Sequence, residues 1–291
     1  MTKTGIVVAH QGIKVVVRSD ADADIAYSIK RKSDLVVGDN VNIESDRPIR
    51  VPRKNVLKRR TPYGLQSIAA NLDGVGIVIA EMPPTPRLFL DQVIMTARKE
   101  NITPFIVVNK CDLLTSSAFV DGLKQTFLEQ VPILVVSAKG RVGIDALLAH
   151  VKQLGRCVFV GVSGVGKSSL LNTIAGSALQ KTGATVDKDR HGAHTTSQSV
   201  LFTLENGGEL IDSPGLRDFS PPELAPNEMA HYFVGFAKHL VEQCHFSNCL
   251  HVSEPGCVIK AAVKSGAITK ERYENYLELL TASQQNLDQR R

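Results

Sequence analysis

The residues of this 291-residue chain best able to do chemistry are Gly161-Val162-Ser163-Gly164-Val165-Gly166-Lys167-Ser168, a G-x-x-x-x-G-K-S run. Apolar residues 157–160 precede it and the helix-compatible Ser169-Leu170-Leu171-Asn172 follows. Strand, glycine-rich loop and helix in that order make a phosphate cradle. The three glycines let the backbone turn tightly, so that successive N–H groups from Gly161 to Ser169 and the helix N-terminus face negative charge. Lys167 would reach the β- and γ-phosphates, and the Ser168 hydroxyl would ligate Mg²⁺. The bare pattern arises by accident about 0.01 times in a chain of this length. A plain turn is therefore the weaker reading.

A second group lies upstream. The apolar run 105–108 ends in Asn109-Lys110-Cys111-Asp112, the N-K-x-D pattern that reads guanine. Guanine presents an N1 hydrogen and an exocyclic amine side by side, which the Asp112 carboxylate can accept as a pair. Adenine offers no such pair, and a site built on hydrogen bonds of this kind discriminates by about 10⁴–10⁵. Asn109 would brace the loop, and Lys110 would lay its stem along the base. Alone, Asn-Lys-Cys-Asp is also a plausible turn. After the next apolar run, Ser137-Ala138-Lys139 supplies the companion pattern, in which the Ala138 N–H would meet the guanine carbonyl.

Downstream of the phosphate loop, residues 181–197 are polar and contain His191, His194, Thr195 and Thr196 without an apolar period. They are expected to form a switch loop in which one threonine closes on Mg²⁺ and the γ-phosphate. Asp212-Ser213-Pro214-Gly215 then matches D-x-P-G: Asp212 would hold Mg²⁺ through water, and the Gly215 N–H would sense the γ-phosphate. Leu216 follows where many GTPases carry a catalytic glutamine, so another group must place the attacking water. The last group is Cys244-x4-Cys249-x-His251-x5-Cys257. Three thiolates and one imidazole suit a closed, structural tetrahedral Zn²⁺; His245 competes for the imidazole position.

The elements that must position these groups follow from periodicity. Short β-like runs at 5–8, 13–18, 25–29, 36–37, 40–43 and 49–52 predict a small antiparallel barrel of OB type over residues 1–64. From residue 65 to about 220, strands at 74–80, 105–109, 133–137, 157–160, 201–204 and 209–211 alternate with helices at 88–99, 118–130 and 144–154, which predicts a mostly parallel α/β sheet with ligand groups at the strand ends. Helices at 226–241, 257–265 and 269–283 would flank the metal knuckle in a C-terminal domain over 221–291.

Composition is that of a globular protein, 43% hydrophobic and 22% charged. No stretch reaches the length of a membrane span, and the N-terminal residues lack a signal-peptide core, so a cytoplasmic protein without membrane attachment is expected. Cysteines clustered beside a histidine point to metal in a reducing compartment. Of the 34 Lys and Arg, 13 fall within residues 1–65 against 7 Asp or Glu there, so the positive surplus is N-terminal. Lys30, Arg31, Lys32, Arg50, Arg53, Lys54, Lys58, Arg59 and Arg60 would supply phosphate contacts to nucleic acid. Tyr27 and Tyr63 are the sole aromatics of that region, too few for base stacking to lead.

The guanine-reading pair precedes the phosphate loop, whereas ordinary GTPases place that loop first. This order is a circular permutation, tolerable because the termini of compact domains lie close together. With V-V-G-D at residues 36–39, A-A-N-L-D at 69–73, H-T-T at 194–196 and R-Y-x-x-Y at 272–276, the chain resembles the ribosome small-subunit-dependent GTPase A family of circularly permuted bacterial GTPases. The resemblance implies an N-terminal OB-fold, a GTPase core, a C-terminal zinc domain, and a role in late maturation of the small ribosomal subunit, with hydrolysis of GTP to GDP stimulated by that subunit and its rRNA as partner. It also implies that His194 assists hydrolysis; a monomer is expected. Residues 187–193 depart from the family pattern, and Gln92 stands where the family usually has arginine. Two other readings stand beside this one: a nucleotide-gated RNA-binding module with negligible turnover, favoured by Leu216, and an ATPase, opposed by N-K-x-D.

Overall fold

The computed structural model describes residues 3–31, 33–127, 129–182, 198–205, 207–216 and 219–288. The chain opens with β1 (Lys3–Gln11), β2 (Lys14–Ser19), β3 (Asp24–Ser28), β4 (Asn40–Glu44) and β5 (Arg47–Arg50). All pair antiparallel in the order β3-β2-β1-β4-β5. Val15 and Val17 of β2, Tyr27 of β3 and Val41 of β4 alternate with more exposed neighbours, as the two-residue period of a half-buried strand requires, and form one buried cluster with Val7 and Leu35. The short run 36–37 makes a single bridge to Ala69.

One element escaped the sequence reading. Residues 56–61 and 64–70 form a hairpin, β6 (Val56–Thr61) and β7 (Gly64–Ala70), which crosses position 64. Its basic run Lys58-Arg59-Arg60 carries no alternation, so periodicity could not find it; pairing and burial of Leu57, Ile68, Ala69 and Ala70 make it a strand pair.

The parallel core follows. β8 (Gly74–Ile79), β9 (Thr103–Val108), β10 (Ile133–Val135), β11 (Arg156–Val160) and β13 (Glu209–Asp212) run in the order β10-β9-β8-β11-β13, with β12 (Ser199–Thr203) antiparallel at the end. Helices α1 (Phe89–Lys99), α2 (Ala118–Phe127), α3 (Ile144–Leu154) and α4 (Lys167–Thr182) are the crossovers. Both faces of the sheet are covered: Ile77, Ile79, Ile106 and Val108 pack with α1, while Val78, Phe105, Val107 and Phe159 pack with α3 and α4. That is why these strands read as continuous apolar runs. β12 also pairs with β1 through Ala9–Val200 and His10–Ser199, so the sheet continues from the core into the N-terminal strands.

The C-terminal part contains α5 (Pro226–Tyr232), α6 (Val258–Lys264) and α7 (Lys270–Asp288). The helix expected at 226–241 stops at Tyr232, because Phe233 is extended at ψ 133° and Gly235 takes φ 93°. That turn folds Phe233 and Phe236 inward onto Tyr276, with ring centroids 5.5 and 4.8 Å away; burying two aromatics offsets the lost helical turns. Arg272 on α7 joins this layer to the core, its guanidinium gripping both oxygens of buried Asp91 on α1 at 2.6 and 2.8 Å.

The same accounting corrects part of the basic patch. Arg53 donates to both oxygens of Asp39, which is 0% exposed, and to the Asp34 carbonyl. Lys54 pairs with Asp73, and Arg50 with Asp34. Arg53 is thus a structural residue that satisfies a buried carboxylate, and it is not available to a phosphate. Lys14, Arg47 and Lys58 have no ion-pair partner among the described residues.

Candidate nucleotide pocket and metal centre

The phosphate loop leaves the C-terminal end of β11, the strand between β8 and β13, and α4 begins at Lys167. Gly166 has φ 92°, and a Cβ there would lie 2.4 Å from the Asn109 amide nitrogen. Only glycine lets the N-K-x-D loop approach so closely. Buried Lys167 turns its ammonium onto the Gly161 and Val162 carbonyls at 2.7 and 2.8 Å, while Ser168 and Ser169 are exposed at the first turn of α4.

Asn109, 1% exposed at the end of β9, joins three segments. Its amide donates to the Val165 carbonyl at 2.9 Å and the Gly166 carbonyl at 3.4 Å, and its oxygen accepts from the Ala138 N–H at 3.1 Å. Lys110 stands in the left-handed region at φ 61°, starting the single turn Cys111–Leu113 that presents Asp112 to solvent. The buried Ser137 hydroxyl donates to the Asp112 carboxylate and accepts from the Gly140 N–H; it holds the Asp112 carboxyl below the usual carboxylate range. Thr173 on α4 donates to the Ala138 carbonyl, and Lys139 is exposed beside it. Groups far apart in sequence therefore meet at one end of the sheet.

Asp212 ends β13, next to β11, and Pro214–Leu216 form a single turn. The Gly215 N–H donates to the Ser213 hydroxyl oxygen at 3.3 Å, and the Ser199 hydroxyl of β12 donates to that same oxygen at 2.8 Å. Leu216 is 2% exposed in the core and cannot present a side chain to a water at the phosphate. A hydroxyl at Ser168 in the first turn of α4 and a carboxylate at Asp212 at the end of β13 are hard oxygen donors of the kind that suits Mg²⁺. His194, Thr195 and Thr196 lie outside the described residues.

The second centre is Cys244, Cys249, His251 and Cys257, whose ligand atoms all fall within 4.8 Å of one another. The His251 Nδ1 lies 3.6, 3.4 and 3.3 Å from the sulfurs of Cys244, Cys249 and Cys257. A tetrahedral ion at about 2.3 Å from sulfur and about 2.0 Å from nitrogen separates those donors by about 3.5 Å, so the four residues fit Zn²⁺. Burial pushes the Cys249 and Cys257 thiols up, and a bound cation reverses that by deprotonating its ligands. His245 stacks edge-on against Phe246 instead.

Two supports of this knuckle were not assigned from sequence. Glu254, read as a loop former, accepts N–H bonds from Leu250, Val252 and Ser253 at 2.7, 2.8 and 3.0 Å; burial raises its carboxyl, but these donors outweigh it and hold the pKa at about 2. Tyr273 and Tyr276 of α7 donate to the His251 and Leu250 carbonyls at 2.6 and 3.1 Å. The R-Y-x-x-Y spacing was the available signal, since i and i+3 lie on one helix face.

The comparisons with known proteins agree with this geometry. The chain is 36% identical over 301 residues to a small ribosomal subunit biogenesis GTPase RsgA of Histophilus somni, covering 98% of this chain and 85% of that one. It is 35% identical over 250 residues to the protein of that name from Chlorobaculum tepidum, covering 86% and 80%. Among solved structures, YjeQ from Thermotoga maritima superposes with a TM-score of 0.76 at 30% identity, covering 97% of this chain and 99% of that one. YloQ, described as a circularly permuted GTPase, gives 0.72 at 24% identity over 98% and 96%, a likeness of fold. With the model of the RsgA GTPase family matching residues 50–221, the chain belongs to that family of circularly permuted GTPases.

Proposed function

We propose that this chain is a GTP hydrolase that binds the small ribosomal subunit and acts in its late maturation, with turnover stimulated by the subunit. The carrying observation is Asn109, whose amide ties the N-K-x-D loop, the Ala138 N–H and the phosphate loop into one pocket. The curated relatives are named for the assembly they serve. In the proposed site Asp112 reads guanine and the loop from Gly161 to Ser169 holds the phosphates. Lys167 exchanges its carbonyl partners for phosphate oxygens. Ser168, one of Thr195 and Thr196, and Asp212 through water would hold Mg²⁺, which neutralises charge developing on the phosphates. The Gly215 N–H senses the γ-phosphate. His194 orients the attacking water, a task buried Leu216 cannot perform.

Phosphate release tests this reading. GTP turnover is expected to exceed ATP turnover and to rise when small subunits are added, and His194→Ala to cut stimulated kcat about 100-fold with GTP affinity kept. Equal use of ATP overturns the guanine assignment. Subunit binding that depends on GTP with no turnover at all selects the nucleotide-gated binding module, the reading that Leu216 favours.

The outer regions complete the proposal. Residues 1–64 act as an OB-fold binding rRNA, its five antiparallel strands curling until β3 approaches β5; residues 65–220 form the GTPase domain and 221–291 a helical zinc domain. No helix among the described residues is long and apolar enough to cross a membrane, and the protein is proposed to work as a cytoplasmic monomer. Elemental analysis of freshly purified protein is expected to find one Zn²⁺ per chain. Cys249→Ser should lose it and expose α6 and α7 to hydrogen exchange before the parallel core. A preparation without zinc whose α6 and α7 stay protected refutes the structural metal.

A further inference from the structure

Immediately after β8, Glu81-Met82-Pro83 runs past the pocket without belonging to any of its motifs. The Glu81 carboxylate accepts from Thr115 twice, from the backbone N–H and from the hydroxyl, each at 3.0 Å. Thr115 lies two residues beyond the Cys111–Leu113 turn that carries Asp112. Next along the chain, the Met82 carbonyl accepts from the Lys110 ammonium at 3.2 Å. Pro83 then lies against the phosphate loop, 3.2 Å from where a Cβ on Gly164 would be. At its near end the guanine loop is fastened by Asn109, and the Cys111 N–H donates to the Val136 carbonyl at 3.0 Å. At its far end the chain is exposed, and Glu81 holds it there.

We infer that Glu81 is a positioning residue for guanine recognition, fixing through Thr115 the turn from which Asp112 meets the base. The inference rests on the guanine-nucleotide reading above. The physical requirement is orientational. A carboxylate that must accept two adjacent donors of one base loses most of its selectivity when it swings by an ångström, whereas phosphate affinity is set elsewhere in the loop from Gly161 to Ser169. Glu81 acts on the base through Thr115. It does so by removing the freedom of the exposed stretch after Leu114, which itself packs against the core, so that the turn is held beyond Asp112 as well as before it.

Inosine diphosphate supplies the readout, because it lacks the exocyclic amine and keeps the rest of the base. In equilibrium titrations the wild type is expected to prefer GDP over inosine diphosphate, and Glu81→Ala to lower that ratio about tenfold while affinity for inosine diphosphate stays within about twofold. Glu81→Gln should retain the ratio, since its oxygen can take the Thr115 N–H and its amide can donate to the hydroxyl. Thr115 is exposed, so Thr115→Ala leaves the fold intact; it should lower the ratio by a smaller factor and add nothing to Glu81→Ala. An unchanged ratio in both Glu81→Ala and Thr115→Ala overturns the inference, as does additive behaviour of the pair. A wild type that fails to prefer GDP over ADP refutes the guanine reading itself, a distinguishable result.

Discussion

Asn109→Ala is expected to weaken GDP binding by about 2–4 kcal/mol, roughly 30- to 1,000-fold, because two buried bonds are lost and their partners are left unsatisfied. The Val165 carbonyl and the Ala138 N–H have Asn109 as partner at 2.9 and 3.1 Å, in a place where Asn109 is 1% exposed. The loss should fall on adenine and guanine nucleotides alike, since the phosphate loop loosens together with the base-reading loop. Asp112→Asn makes the contrast. Its carboxylate is exposed and accepts from the Ser137 hydroxyl, so exchanging it should cost guanine nucleotides a few kcal/mol and leave weak ADP binding as it was. Calorimetric titration of both variants with GDP and ADP separates the two roles. Were Asn109→Ala to lose GDP affinity while ADP binding held, Asn109 would be a base reader and not the joint of the pocket.

Asn109 also shows what the sequence could and could not tell. Its motif was legible because hydrogen-bonding chemistry fixes residue type at fixed spacing, and the apolar runs before each motif placed it at a strand end. Period and length sufficed for β8 to β11 and for α3, whose expected bounds at 144–154 are those observed. Tertiary exceptions were the illegible part. The β6–β7 hairpin has a strand of consecutive Lys58-Arg59-Arg60 that only pairing stabilises, and α5 ends early because Phe233 and Phe236 gain more from Tyr276 than from a longer helix. Charge partners were equally hidden. Arg53 looks like a phosphate contact in a basic run until Asp39, 14 residues earlier, is found beneath it, and nothing local in the sequence links Glu81 to Thr115.

Arg272 was visible only as the first letter of R-Y-x-x-Y, and its substitution should produce the largest loss of stability. Its guanidinium, 14% exposed, holds an Asp91 carboxylate that is 1% exposed, and lies 4.3 Å from the ring centre of Phe233 and 5.4 Å from that of Phe127. Removing the arginine leaves an uncompensated buried charge on α1, which costs about 3–5 kcal/mol. Arg272→Lys should recover only part of this, because an ammonium cannot fork both carboxylate oxygens or stack on the rings. The double variant Arg272→Ala, Asp91→Ala should be more stable than Arg272→Ala alone, since no charge is then stranded. The location of the damage matters more than its size. Arg272 lies one residue before Tyr273, which holds the His251 carbonyl, so the break should separate the metal-bearing layer from the parallel core and turn one denaturation transition into two. Urea unfolding followed by hydrogen exchange of α1 and α7 measures this directly. A single cooperative transition shifted by less than about 1 kcal/mol would mean that α7 is held to the core by its apolar face.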